Sequence, residues 1–286
     1  MPPETPRIRR GFVDVAEGQV HYRTAGEDLP GVPLVMLHAS PGSAKLLEPM
    51  IAGFGRHRRV VAPDTLGNGD SSAPQGGDKP GIGYFAAAHL RALDALGLER
   101  FDLYGSHTGA NIACEIAIAQ PQRVRRLILD GVSLYTAEER ADMLAHYAPP
   151  VPIDQHGSQF NWVWHFVRDA YLFWPWYRRG AANRRGIGLP PAEDLHDKAV
   201  EVLKAARTYA LSYLAAIAYD KEPRLPLVQV PTLLACAETD MLMMYFARVQ
   251  ALMPRAEPVV TPGTSGTALG ATLRLFEAFL DRPAGG

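Results

Sequence analysis

The 286-residue sequence has little of several features that would point to other classes of protein. Cys114 and Cys236 are its only cysteines, and both fall in apolar stretches. The formal net charge is −1 and the pI is near 6.8, so nucleic acid and anionic membranes are not expected partners. Neither a signal-peptide pattern nor an apolar run of about 18 residues stands out. We therefore expect a cytoplasmic protein with a small-molecule substrate; nothing in the sequence specifies its oligomeric state.

The sequence also lacks the short motifs of nucleotide and metal sites. It has no G-x-x-x-x-G-K-[ST] loop, no H-E-x-x-H pair and no cluster of cysteines. The arginine pairs Arg178-Arg179 and Arg184-Arg185 are short and interrupted, which is typical of a solvated face. The sequence therefore predicts a protein that uses neither a cofactor nor a metal.

What the chain does contain is an alternation of apolar strands and helices. Hydrophobic residues make up 47% of the sequence, enough for one large core with an insertion. Helices are predicted at 84–96 and 110–120, and the predicted strands are residues 12–15, 19–24, 33–38, 59–64, 100–104, 127–130, 233–237 and 258–261. This alternation predicts an α/β fold with a doubly wound sheet.

A tight turn lies between the strand at 100–104 and the helix at 110–120. Residues 105–109 read Gly-Ser-His-Thr-Gly, which has the spacing of the G-x-S-x-G nucleophile elbow. In that motif the flanking glycines permit close packing, and the central side chain is held on a strained turn above the sheet. Here the central residue is His107, so the presented group is an imidazole.

The strand–helix alternation stops between residues 136 and 225. This stretch is helical by pattern, rich in aromatic residues, and contains all four tryptophans of the chain. We expect a core of residues 1–135 and 226–286, and a helical lid of residues 136–225 whose Trp162, Trp164 and Trp174 contact the substrate. The alternative is that these rings only pack the lid onto the core.

Four motifs resemble the α/β-hydrolase superfamily, and most closely its lidded branch of haloalkane and fluoroacetate dehalogenases and epoxide hydrolases. Residues 38–42 (HASPG) resemble the H-G-x-P oxyanion loop, and residues 64–71 (DTLGNGDS) resemble the D-x-x-G-x-G-x-S segment. The elbow and Asp240, which follows the strand at 233–237, complete the set. The resemblance covers nearly the whole chain and implies an α/β-hydrolase fold, with a mostly parallel sheet and an inserted helical lid.

The departures from this branch bear on function. Its elbow commonly reads G-H-D-x-G, so Ser106 replaces the histidine and His107 replaces the nucleophilic aspartate. The loop that should carry the catalytic histidine reads PGTSGT at 262–267, and no histidine follows His196. A Ser-His-Asp mechanism needs a nucleophile within reach of a base. The standard esterase mechanism is therefore not expected, and neither is dehalogenation, which needs the aspartate.

His107 is the main candidate catalytic residue, as a general base or a nucleophile. The alternative is a decayed elbow in which its ring only fills space. The resemblance offers two acids to orient the imidazole: Asp240, slightly favoured, and Asp130 after the preceding strand. Either aspartate is equally interpretable as a cap of a turn or helix. The resemblance also implies an oxyanion hole made by the backbone N–H groups of Ser40 and Thr108.

Other polar residues are weaker candidates. Ser106 precedes the centre of the elbow and is expected to point elsewhere, and His38 is interpreted as scaffold beside the oxyanion loop. His146, His156 and His165 in the lid are possible bases, although polar residues on such helices are usually solvated. The sequence thus favours a cofactor-independent hydrolase or lyase that acts on a small apolar or aromatic carbonyl or ester compound. The alternative is a non-catalytic ligand-binding pseudoenzyme of the same fold.

Overall fold

The computed structural model describes residues 6–75, 77 and 79–283. Within these residues the chain forms one eight-stranded sheet, composed of β1 (Arg9–Val15), β2 (Gly18–Ala25), β3 (Leu34–Leu37), β4 (Val60–Pro63), β5 (Phe101–Ser106), β6 (Val124–Asp130), β7 (Thr232–Ala237) and β8 (Glu257–Thr261). The α-helices of this part of the chain are α1 (Glu48–Phe54), α2 (Ile82–Ala95), α3 (Thr108–Ala119), α4 (Ala137–His146), α5 (Ser158–Leu172), α6 (Ala192–Lys204), α7 (Tyr209–Ala218), α8 (Phe246–Leu252) and α9 (Leu269–Leu280).

The strands lie in the order β1-β2-β4-β3-β5-β6-β7-β8. The hairpin of β1 and β2 is antiparallel, β2 pairs antiparallel with β4, and the remaining neighbours are parallel. The predicted doubly wound, mostly parallel sheet is therefore confirmed. Because β3, β5, β6 and β7 run in the same direction, the residues that follow them meet at one edge of the sheet.

The sheet is buried between two layers of helices. The apolar runs of β3 and β4 are fully buried, as expected for central parallel strands. On one face, Phe85 of α2 and Ile112 of α3 join the larger apolar cluster. On the other face, Phe54 of α1 and Phe276 of α9 form a second cluster. This two-sided packing makes the carboxyl edge of the sheet a rigid base for a site.

Helices α4 to α7 lie between β6 and β7, in residues 136–225, which we call the helical segment. It begins with a capping box, in which the Thr136 side chain accepts the backbone N–H of Glu139 and the Glu139 side chain accepts that of Thr136. The segment has an apolar cluster of its own, which includes Val163, Phe166 and Val202. None of the described helices is both long and apolar enough to span a membrane.

Candidate active site

The turn from β5 to α3 holds His107 in a backbone conformation that few residues adopt. His107 has φ 51° and ψ −106°, and among the described residues it is the only non-glycine with positive φ. Such a conformation costs on the order of 1–3 kcal/mol, which the surrounding structure must offset. The flanking glycines make the turn possible, because a Cβ on Gly105 would collide with the backbone of Gly109, and one on Gly109 with the backbone of Leu37.

The ring of His107 is hydrogen-bonded to Asp240. Nε2 of His107 lies 2.7 Å from Oδ2 of Asp240, and the other carboxylate oxygen accepts the backbone N–H of Leu242 at 2.8 Å. Burial disfavours the imidazolium, but the Asp240 carboxylate and its hydrogen bond outweigh burial and raise the pKa of His107. Burial likewise opposes the charge of Asp240, but the interactions with His107 and Leu242 lower the pKa of that carboxyl.

This pairing determines which nitrogen of His107 is available for reaction. An ionised carboxylate only accepts hydrogen bonds, so Nε2 carries the proton that is donated to Asp240. Nδ1 has no hydrogen-bond partner among the described residues, and the ring lines a cavity. In the neutral imidazole, Nδ1 therefore holds the lone pair that a base or nucleophile requires.

Gly131, directly after β6, provides the space for this pair. Its φ is +70°, and a Cβ there would lie 2.6 Å from Cδ2 and 2.7 Å from Nε2 of His107. The same atom would lie 3.4 Å from Oδ2 of Asp240. A side chain at residue 131 would therefore displace the imidazole. Gly131 was not predicted as a site residue. A glycine that directly follows a strand-ending aspartate at the carboxyl edge of the sheet indicates a position with no room for a side chain.

Asp130, the alternative acid, is hydrogen-bonded to a different residue. Its Oδ2 accepts the hydroxyl of Tyr104 at 2.8 Å, whereas the imidazole of His107 is bonded to Asp240. Burial raises the pKa of Asp130 to about 6, and the nearby Asp240 carboxylate adds to the increase. The imidazole of His107 is thus bonded to the Asp240 side chain, whereas Asp130 contacts residue 107 through its backbone carbonyl, which accepts the His107 N–H at 2.9 Å.

The two amides predicted to form an oxyanion hole lie at the same cavity. Thr108 is the first residue of α3, where backbone N–H groups have no acceptor within the helix. Ser40 lies in the loop after β3, and both residues line the cavity together with His107. His38 braces this loop, since its Nδ1 donates to the carbonyl of Ala39 at 2.8 Å and its Nε2 accepts the backbone N–H of Thr65 at 2.9 Å.

The cavity lies between the carboxyl edge of the sheet and the helical segment. Its volume is about 430 Å³, within the usual range for small-molecule sites. The helical segment contributes several aromatic rings and two cations to its wall: Tyr147, Phe166, Tyr171, Trp174, Tyr213, Arg185 and Lys198. The loop after β8 contributes Gly263, Thr264 and Ser265. The wall is mostly apolar, with a few polar groups.

Only one of the three tryptophans predicted to contact the substrate lines this cavity. Trp174 does, whereas Trp162 stacks on Phe166 at a ring distance of 5.2 Å, inside the apolar cluster of the helical segment. Trp164 is 40% exposed on the outer side of α5. The helical period puts Trp164 on the opposite side of α5 from the lining residue Phe166, whereas Trp162 lies one turn before Phe166 on the same side and does not reach the cavity.

The other candidates also lie away from the cavity. His146, His156 and His165 are not among the described residues that line it, and Ser106 is not among them either. His146 is instead bonded to the carbonyl of Asp142 at 2.9 Å. The described histidines of the helical segment therefore supply no second base to His107.

The sequence analysis missed two cations of the site. Arg185 was interpreted as part of a solvated face, but it lines the cavity and donates to the carbonyls of Ala170 and Thr239 at 2.9 and 3.1 Å. Lys198 also lines the cavity, and burial lowers its pKa to about 8. The position of Lys198 between Leu195 and Val202, on the apolar side of α6, was the indication available.

Among the described residues, one acidic group has the composition of a metal site but is already hydrogen-bonded. Ligand atoms of His21, Asp64 and Asp70 lie within 4.8 Å of one another. The Asp64 carboxylate accepts hydrogen bonds from the His21 ring at 2.8 Å and from the backbone N–H groups of Ala44 and Asp70 at 2.8 and 3.1 Å. These hydrogen bonds explain why the three side chains lie close together, because they stabilise the loop after β4.

Comparison with known proteins agrees with this architecture. Residues 32–150 match the family described as the α/β hydrolase fold. An enol-lactonase from Burkholderia xenovorans LB400 superposes with a TM-score of 0.74 at 19% identity, covering 95% of this chain and 100% of that one. An epoxide hydrolase from Vigna radiata gives a TM-score of 0.69 at 19% identity, with 98% and 99% covered. The chain has the α/β-hydrolase fold.

Curated relatives are similar over part of their length. A 2-hydroxymuconate semialdehyde hydrolase from Pseudomonas putida is 39% identical over 134 residues, which cover 46% of this chain and 45% of the relative. Haloalkane dehalogenase 2 from Mycobacterium tuberculosis is 31% identical over 134 residues, with 46% and 44% covered. The chain thus spans a little under half the length of the curated relatives it matches.

Proposed function

We propose that this chain is a cofactor-independent enzyme that hydrolyses or cleaves a small apolar or aromatic carbonyl or ester compound, with His107 as its base or nucleophile. The observation that carries the proposal is the 2.7 Å hydrogen bond between His107 and Asp240, on a strained turn that borders the cavity. Ordinary packing does not require a histidine in this conformation. The hydrolase names of the Pseudomonas relatives support the reaction class.

The geometry supports a hydrolytic sequence. Nδ1 of His107 removes a proton from water, and the resulting hydroxide attacks the carbonyl carbon. The negative charge on the carbonyl oxygen is stabilised by the backbone N–H groups of Ser40 and Thr108. When the tetrahedral intermediate collapses, the leaving group takes the proton from the imidazolium, and neutral His107 is restored. Asp240 holds the ring and stabilises its charged form.

The same groups support two variants of this chemistry. If Nδ1 attacks the carbonyl carbon itself, the bond to the leaving group breaks, the leaving group departs with the electron pair, and water then hydrolyses the resulting acyl-imidazole to the acid and free His107. If Nδ1 instead removes a proton beside the carbonyl, the two amides stabilise an enolate, which is the first step of a lyase reaction. Accumulation of the acyl-enzyme would appear as a burst of product in the first turnover.

The second candidate is a ligand-binding protein without turnover. The observation that favours it is the loop after β8, where Gly263, Thr264 and Ser265 line the cavity at the position of the missing histidine. This candidate predicts that an apolar ligand binds and that no product forms, even when the protein is in excess over the ligand.

The test is hydrolysis of short-chain 4-nitrophenyl esters by the wild type, His107→Ala and His156→Ala. His156 is exposed and lies outside the cavity, so its variant controls for reaction of surface histidines with activated esters. We expect kcat/KM to fall at least about 100-fold in His107→Ala and to stay unchanged in His156→Ala. Equal turnover by all three proteins would contradict the proposal, and no turnover by the wild type would favour lyase chemistry or ligand binding.

A further inference from the structure

Lys198 differs from Lys204, the other lysine of α6, because Lys204 is paired and Lys198 is not. Lys204 forms ion pairs with Asp70 and Glu201 at 3.1 Å each, and Asp197 lies 3.4 Å from Lys45. Lys198 has no hydrogen-bond or ion-pair partner among the described residues, although its side chain reaches the cavity. Its side chain is half-buried, so the ammonium is only partly solvated, and the cavity leaves it open to an anion.

The other charges of the cavity do not supply that partner. The Asp240 carboxylate is engaged with His107 and the Leu242 amide. Arg185 adds a second cation, which donates to two backbone carbonyls and to no described carboxylate. With a neutral imidazole, the described wall thus carries two positive charges and one negative charge. One further negative charge would neutralise it.

We propose that Lys198 binds a carboxylate of the substrate, so that the compound accepted by this site is a carboxylate-bearing carbonyl compound. The inference rests on the proposed function, since it takes the cavity as the substrate site. It deepens that proposal by assigning two ends to the ligand: a reacting carbonyl at the amides of Ser40 and Thr108, and a carboxylate at the helical segment. An ion pair with hydrogen bonds is the strongest contact available to a half-buried ammonium.

The test measures binding rather than turnover, with 3-phenylpropanoate and its neutral isostere 3-phenylpropanamide as probes in calorimetric titrations at pH 7. We expect the wild type to prefer the carboxylate. Lys198→Met should weaken carboxylate binding roughly 10- to 100-fold and change amide binding less than about twofold, because a hydrogen bond to a charged group is lost. Lys198→Arg should keep the preference. Lys204→Met, six residues along the same helix, should behave as the wild type.

Three results would overturn the inference. The first is equal affinity of the wild type for both probes, and the second is an equal loss of affinity for both probes in Lys198→Met. The third is the absence of 3-phenylpropanoate binding to the wild type at millimolar concentration. The titrations are repeated in sodium sulfate at matched ionic strength, which screens non-specific attraction between charges. A specific subsite should keep the preference for the carboxylate over the amide in this salt. Ester hydrolysis by the wild type with no carboxylate preference would reject only this inference. A carboxylate preference without ester turnover would instead reject the hydrolytic sequence and retain the anion subsite.

Discussion

The two walls of the cavity hold their charged groups in different ways. On the sheet edge, His107 is bonded to Asp240, and Asp130 is bonded to Tyr104. On the helical segment, Arg185 donates to two backbone carbonyls but to no described carboxylate, and Lys198 has no partner among the described residues. A charge bonded to its neighbours keeps a defined geometry and protonation state, whereas an unpaired one is open to a ligand. In our proposal the sheet edge performs the chemistry and the helical segment selects the substrate.

The largest effect expected from a change on the sheet edge is that of Asp240→Asn. An amide cannot stabilise the imidazolium as a carboxylate does, and it can favour the wrong tautomer of His107. We expect kcat for 4-nitrophenyl ester hydrolysis to fall on the order of 10³-fold, with KM little changed. Steady-state kinetics of this variant beside Asp130→Asn measures the effect. A comparable loss in Asp130→Asn would mean that the wrong aspartate has been assigned.

Asp130→Asn should act on stability instead. The pKa of Asp130 is raised from 3.8 to about 6, so folding favours its protonated form, and ionisation above pH 6 destabilises the folded state. At 1.36 kcal/mol per pKa unit, the variant should gain up to about 3 kcal/mol in free energy of unfolding at pH 8. The gain should vanish below about pH 4, where the carboxyl is protonated in both states. Urea unfolding at the two pH values tests this, and a gain independent of pH would contradict it.

Gly131→Ala tests whether the position of the ring matters as well as its identity. The new Cβ would occupy space now filled by Cδ2 and Nε2 of His107. A displacement of about 1 Å at a reacting group can cost roughly 100-fold in rate, and we expect a loss of that size in kcat. Gly97→Ala, which has a similar φ of +68° but a Cβ that meets nothing within 4 Å, is the matched control. Unchanged kcat in Gly131→Ala, with the fold intact by circular dichroism, would show that the ring position is not critical.

The smallest effects are expected on the helical segment. Trp174→Leu removes apolar surface from the cavity wall, so KM for an aryl ester should rise roughly five- to tenfold, with kcat nearly unchanged. Trp164→Leu, on the exposed side of α5, should leave both constants unchanged. KM and kcat measured for both variants distinguish a tryptophan that contacts the substrate from one that only packs within the helical segment. A larger rise in KM in Trp164→Leu than in Trp174→Leu would contradict the assignment of Trp174 to the cavity wall.

The sequence predicted the sheet edge better than the helical segment, for a physical reason. His107 and Asp240 each follow a recognisable apolar strand, and parallel strands bring such positions to one edge. Even there, the choice between Asp240 and Asp130 required the three-dimensional contacts. On the helical segment, tryptophan content alone does not specify which ring reaches the cavity, because this depends on the side of α5 for Trp164 and on the position along α5 for Trp162. Lys198 could not be predicted from the sequence, because its proposed role depends on having no charged partner. Whether a lysine has a partner depends on how the helices pack.

The most direct test of the central claim, that His107 is a base tuned by Asp240, is the pH dependence of kcat/KM in the wild type and in Asp240→Asn. Neutral imidazole is the active form, so the rate should fall as pH decreases through the pKa of His107. Because Asp240 raises that pKa, the acid limb of the wild type should lie above pH 6.5. In Asp240→Asn the main raising influence is lost and burial is opposed only by the smaller effect of the Asp130 carboxylate, so the limb should move at least about one pH unit lower. An acid limb at the same pH in both proteins would contradict the account.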